Sequence, residues 1–227
     1  MGLQMRLKRE PVGDDDTMAK VLSAAEVLFA EKGHDKASLR ELTARAGVNL
    51  AAVNYHFGSK EGLAEAVFES LSRRVNDKRV EDLDHYLAGL PATGQPSLDR
   101  ILDIFVEPYL AEGNDAQGIL LARFILHHRL APSDLTQRIM RKHFDPMAKR
   151  FVEALSRACP HVDTAELFWR YMFMVSSVVL PLTDAAKDNR IARLSAGKAD
   201  ITRRDEFRGA LIRFLKGGIT APPREDG

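Results

Sequence analysis

Between Ser38 and Gly58 the chain has room for only two helices of about two turns each, with their start and stop signals packed close together. "SLRE" at 38–41 reads as a capping box, in which the Ser38 hydroxyl caps and Glu41 reaches back. The helix it opens ends at Gly47, a residue suited to a left-handed terminus. Asn49 caps a further helix, Leu50 to Phe57, and Gly58 ends it. Upstream, Met18, Val21, Leu22, Ala25, Leu28 and Phe29 repeat with helical spacing from Thr17, and Gly33 supplies a stop. Downstream, Ser59 opens a longer helix through "KEGLAEAVFESLSRRV". Two short helices joined by a tight glycine turn predict a helix-turn-helix.

In such a motif the second helix enters the major groove of DNA. At about 100° per residue, Val53 and Phe57 share the inward face of 50–57, while Ala51 and Tyr55 lie opposite, flanked by Asn54 and Ala52. The outward face carries no carboxylate, and its small side chains permit close approach to base edges. Asn54 can bond bidentately to adenine, and the alanines can touch thymine methyls. Tyr55 and His56 can donate to phosphates.

Lys60 falls in the first turn of the helix after Ser59, where the helix dipole already places partial positive charge. A phosphate there would satisfy both the ammonium and the unpaired N–H groups of the turn. From Lys32 to Lys60 five cations face two carboxylates, on a chain whose net charge is only +1.

The stretch Val21–Leu71, with "AGV", then "YHF", then "SKE", resembles the DNA-binding region of TetR-family transcriptional repressors. The resemblance implies a homodimer that binds a palindromic double-stranded DNA operator and releases it when a small molecule enters the carboxyl-terminal domain. It places the DNA contacts on Ser38, Arg40, Asn49, Leu50, Ala51, Asn54, Tyr55, His56 and Lys60. The family often has an aromatic residue where this chain has Asn54, so base preference at that position is not carried over.

A glycine- and proline-rich stretch at 88–97 is the best candidate for a boundary, and beyond it helical segments are expected at about 98–112, 116–130, 133–158, 163–182 and 203–216. "DAAKDNRIARLSAGKAD" at 184–200 reads as a loop or a weak helix. "LFWRYMFMVSSVVLPL" is apolar on nearly every side, which predicts burial on more than one face. The last segment sets Phe207, Ala210, Leu211, Phe214 and Leu215 opposite Arg204, Arg208 and Arg213, and these two segments are expected to pair with their symmetry mates. Candidate effector-lining residues are Phe105, Tyr109, Arg123, Phe124, His127, Phe144, Met147, Phe151, Trp169 and Phe173, all on stripes that ordinary core packing also produces. Arg123, His127, His128 or Arg170 can meet an acidic group. The stretch from Phe144 to Phe173 is similar to the fatty-acid- and acyl-CoA-responsive branch of the family, which makes an apolar effector of that kind the expectation.

A single cysteine, Cys159, rules out an intramolecular disulfide and a zinc-finger framework. The amino end lacks an apolar run, and the apolar stretch after Leu167 falls short of the roughly 20 residues of a membrane span, so a cytoplasmic protein without a membrane partner is expected. No zinc-protease helix motif, phosphate loop or nucleophile elbow is present; neither an enzyme nor a cofactor is expected. The reading is all-α: a flexible arm (1–16), a three-helix helix-turn-helix domain (17–62), a larger helical regulatory and dimerisation domain (63–219) and a flexible tail (220–227). The alternative function is a DNA-bound structural or division factor that works through a protein partner without a small-molecule effector.

Overall fold

The computed structural model describes residues 14–110, 115–184 and 189–222, and all regular secondary structure among them is helical. The chain forms two compact units that divide between Val67 and Phe68. The first contains α1 (Asp14–Lys32), α2 (Leu39–Ala46), α3 (Leu50–Phe57) and the start of α4 (Lys60–Ala88). α1 begins at Asp14 rather than Thr17, and Asp15 and Asp16 place carboxylates in its first turn, where the dipole favours them. The rest of the expected arm lies outside the described residues.

Each turn of the motif closes as local chemistry dictates. The Ser38 hydroxyl accepts from the Glu41 N–H at 3.2 Å, the Asn49 side chain from the Ala52 N–H at 2.8 Å, and the Ser59 hydroxyl from the Gly62 N–H at 3.0 Å. Gly47 takes φ 67°, a conformation that costs a residue without a Cβ little. The Ser38 box is only half formed: the Glu41 carboxylate instead accepts from Lys32 Nζ at 2.6 Å, joining α2 to the end of α1. The core gathers Val21, Ala25 and Leu28 of α1, Leu42 of α2, Val53 of α3 and Leu63 of α4, each essentially solvent-free. Each such aliphatic burial, alanine aside, stabilises the unit by about 1.5–3 kcal/mol.

The second unit holds the rest of α4, then α5 (Leu98–Leu110), α6 (Asp115–Leu130), α7 (Asp134–Ile139), α8 (Asp145–Ala158), α9 (Thr164–Asp184), α10 (Arg190–Leu194) and α11 (Arg204–Thr220). The stretch 88–97, expected as a boundary, instead joins α4 to α5 within this unit. The segment expected as one helix over 133–158 is interrupted by a π-helical turn, Met140–Phe144, just before Pro146, whose missing N–H removes a regular helical bond. α6 crosses α5 so closely at Gly118 that a Cβ there would stand 2.5 Å from the Pro108 carbonyl oxygen and 2.6 Å from Tyr109 Cα. α11 lays Leu211, Leu215 and Ile219 inward. Its seam with α5 is flanked by Arg208 with Asp103 (3.1 Å) and Glu107 (3.0 Å), and by Lys216 with Asp99 (2.7 Å).

α9 corrects one expectation. It starts at Thr164, where Asp163 accepts from the Ala165 N–H at 2.8 Å, and continues past Pro181, so the helix has 21 residues. By length and composition Thr164–Thr183 is therefore sufficient to cross a membrane. In the polar stretch 184–200, Asp184 ends α9 and Arg190–Leu194 form the short α10; residues 185–188 lie outside the described set, as do 223–227 of the tail.

Candidate functional site

α3 is presented as its wheel predicts. Val53 is solvent-free, whereas Ala51, Asn54 and Tyr55 are exposed, Tyr55 to 77%. Leu50 is also exposed, and His56 is half-buried with its ring edge-on to Tyr55 at 5.1 Å. Tyr55 therefore contributes little to the burial that holds this unit together.

Ser38 and Asn49 spend their oxygens as caps, which leaves the Ser38 hydroxyl hydrogen and the Asn49 amide N–H groups to point elsewhere. Arg45 pairs with Glu31 at 3.0 Å and Lys32 with Glu41 at 2.6 Å, so those two cations are already neutralised. Lys36 and Arg40 are exposed and form no ion pair among the described residues. Lys60, the cation at the start of α4, is half-buried and donates to the Asp35 main-chain carbonyl at 2.8 Å. That bond gives Lys60 a structural role, which its position in the sequence did not reveal.

The candidate effector residues divide into two sets. Phe105, Tyr109, Phe124, Phe144, Met147 and Phe151 are buried together: Phe105 meets Phe151 edge-on at 5.2 Å, and Phe124 lies 6.2 Å from Phe144. Arg123 and His127, on α6, are half-buried. Trp169 and Phe173 do not join this core. Both are 59% exposed, because on α9 they lie on the side opposite Leu167, Met174 and Val178, which pack inward. Phe168, Leu180 and, on α11, Phe214 are exposed with them. His128 is engaged with Thr136 Oγ1 at 2.8 Å, and Arg170 donates to the carbonyls of Ile219 (2.7 Å) and Ala221 (2.8 Å), closing the end of α11. Cys159 is buried, and burial pushes its thiol up, which disfavours the thiolate a nucleophile requires.

One residue escaped the sequence reading. Arg79 of α4 is fully buried, with its guanidinium over the rings of Tyr109 (4.3 Å) and Phe105 (5.0 Å). Nη1 donates to Asn76 Oδ1 at 3.1 Å, whereas Nε and Nη2 have no acceptor among the described residues. Beside it stands Tyr171, whose phenol burial holds well above its ordinary range, with Tyr109 adding and Arg79 opposing. The signal was present in the register: Ser72, Asn76 and Arg79 fall on the same α4 stripe as Leu71, Val75 and Leu83, where apolar residues were due.

Both units match known family profiles. Residues 21–67 match the family profile described as bacterial regulatory proteins, tetR family, and residues 103–218 the profile described as tetracyclin repressor-like, C-terminal domain. A 68-residue stretch is 38% identical to the HTH-type transcriptional repressor Rv3405c of Mycobacterium tuberculosis, covering 30% of this chain and 36% of that protein. A 124-residue stretch is 27% identical to the probable HTH-type transcriptional regulator YttP of Bacillus subtilis, covering 55% of this chain and 56% of that protein. The chain thus spans about a third to a half of these relatives' lengths. Its fold is similar to that of a TetR-family regulator from Mesorhizobium loti MAFF303099, with TM-score 0.57, 18% identity, and coverage of 92% of this chain and 95% of that one.

Proposed function

Since this chain belongs to the TetR family of bacterial regulatory proteins, a family of transcription regulators rather than enzymes, we propose that it is a cytoplasmic repressor that binds a palindromic operator as a homodimer and leaves it on binding a small molecule. The observation that carries this reading is the outward face of α3, where exposed Ala51, Asn54 and Tyr55 back onto a solvent-free Val53. Asn54 reads one base pair, Ala51 and Leu50 touch base or sugar surface, and Ser38, Arg40, Asn49, Tyr55, His56 and Lys60 fix the backbone.

The bare apolar side of α9, with Phe168, Trp169, Phe173 and Leu180, together with Phe214 of α11, supplies the second subunit's contact in a four-helix interface. That pairing accounts for an apolar α9 without a membrane. Two-fold symmetry then repeats the recognition helix one DNA turn away, about 34–36 Å. In the second unit, the buried aromatic and methionine side chains suit an apolar effector, a fatty acid or its acyl-CoA form being the kind expected from the sequence. Release requires that the effector favour the DNA-incompetent spacing; about 5.5 kcal/mol of differential binding moves the population from 1:99 to 99:1.

Selection of bound sequences from random duplex DNA tests the reading. A palindrome with half-site centres one turn apart is the expected product, and enrichment of no sequence by the purified dimer overturns it. An operator that is bound but released by no small molecule favours the partner-protein alternative.

A further inference from the structure

Taking the sensor reading as its premise, we propose that Arg79 is the anion anchor of an internal effector site, and that the effector is an apolar monocarboxylic acid. A guanidinium removed from water needs its charge balanced and its N–H groups accepted. Here the Tyr109 and Phe105 rings cover its face, and Asn76 takes one N–H. No carboxylate among the described residues forms an ion pair with it. The two nitrogens left without an acceptor, Nε and Nη2, are neighbours on one edge of the planar group. Their N–H bonds point in parallel, the fork that takes both oxygens of a carboxylate at once. A structural arginine would be expected to spread its donors over several carbonyls, as Arg170 does.

The surroundings define the ligand. Phe105, Tyr109, Phe151 and Tyr171 meet near the guanidinium, with Phe105 edge-on to Tyr171 at 5.9 Å, so the rest of the molecule must be apolar or aromatic. Ser72, one turn beyond Asn76 on α4, is also buried, and its hydroxyl has no partner among the described residues, which adds a polar contact along the same face.

A way in exists. A groove of about 450 Å³ within the second unit is lined by Asn76, Val80, His143 and Met147, with Asp77 and Glu81 offset by Lys142 and Arg150. Asn76 holds Arg79, and the Met147 sulfur takes the Tyr171 hydroxyl at 3.7 Å, so two residues that line the groove also touch residues of the arginine site. Methionine is the apolar side chain most able to swing aside, and the π-helical turn carrying His143 borders the same groove.

The test uses the full-length protein and named probes: octanoate, decanoate, phenylacetate and 4-phenylbutyrate, each beside its primary amide, followed by calorimetric titration and thermal melting. At least one acid is expected to bind once per chain and at least tenfold tighter than its amide. Arg79→Met should weaken that acid at least tenfold while melting no lower than wild type without ligand, because it removes an unbalanced buried charge. Arg79→Lys, which keeps the charge but lacks the fork, should also lose most of the binding; should the methionine variant not fold, this variant and the acid-to-amide ratio decide. Equal binding of acid and amide, wild-type affinity in either variant, or no binding by any acid overturns the proposal. Operator binding by unliganded wild type, measured separately, distinguishes failure here from failure of the regulator reading.

Discussion

Lys60 Nζ donates to the Asp35 main-chain carbonyl at 2.8 Å, which ties the first turn of α4 to the loop ahead of α2. A cation at the positive end of a helix dipole is thereby partly compensated inside the protein. Its tether and its proposed phosphate contact make separable predictions. Lys60→Ala should lower operator affinity for every sequence and reduce the salt dependence of log K by about one unit per subunit, about two for the dimer. A fall in stability with an unchanged salt slope would leave Lys60 only the tether.

Asn54 is exposed on α3 beside Tyr55, with nothing apolar to bury. Asn54→Ala should therefore leave the melting temperature within a degree or so while relaxing preference at one base pair per half-site by about 1–3 kcal/mol. Competition between the selected operator and its single-base variants reads this directly.

Phe214 is 68% exposed on α11, between Leu211 and Leu215, which point inward. Phe214→Glu should leave the subunit folded but shift sedimentation from dimer to monomer, and operator affinity should fall with it. A dimer of undiminished affinity would place the subunit contact elsewhere.

Gly118 lies where α6 meets α5. Alanine normally favours a helix over glycine by about 1 kcal/mol. Here its Cβ would press on backbone of Pro108 and Tyr109, which cannot swing away. Gly118→Ala is expected to destabilise by about 1–3 kcal/mol in a denaturant titration, the reverse of the propensity effect.

His128 joins α6 to Thr136 of α7, and burial, followed by the charge of Arg129, holds its pKa below the ordinary value. The unfolded chain thus binds the proton more readily than the folded one. Stability should decline as pH falls below about 6.5 and level off once the folded-state pKa is passed. The decline should shrink in His128→Asn, as followed by melting temperature between pH 5 and 8.

What could be read from the sequence was decided within a few residues. The caps at Ser38, Asn49 and Ser59 and the left-handed Gly47 are set by side chains and backbone groups two to four positions apart, and the inward Val53 and outward Tyr55 follow from helical geometry alone. What could not be read was decided by helices distant in sequence. Glu41 turned to Lys32 of α1 instead of completing its box, Trp169 and Phe173 were left outside because the other side of α9 packs inward, and the last stripe split, with Leu211 and Leu215 inside and Phe214 out. Arg79 is the clearest case. Its register marked it as a core position, but only the approach of α5 and α9 to α4 determines that the charge meets rings rather than a carboxylate, since side chains far apart along the chain set its dielectric surroundings.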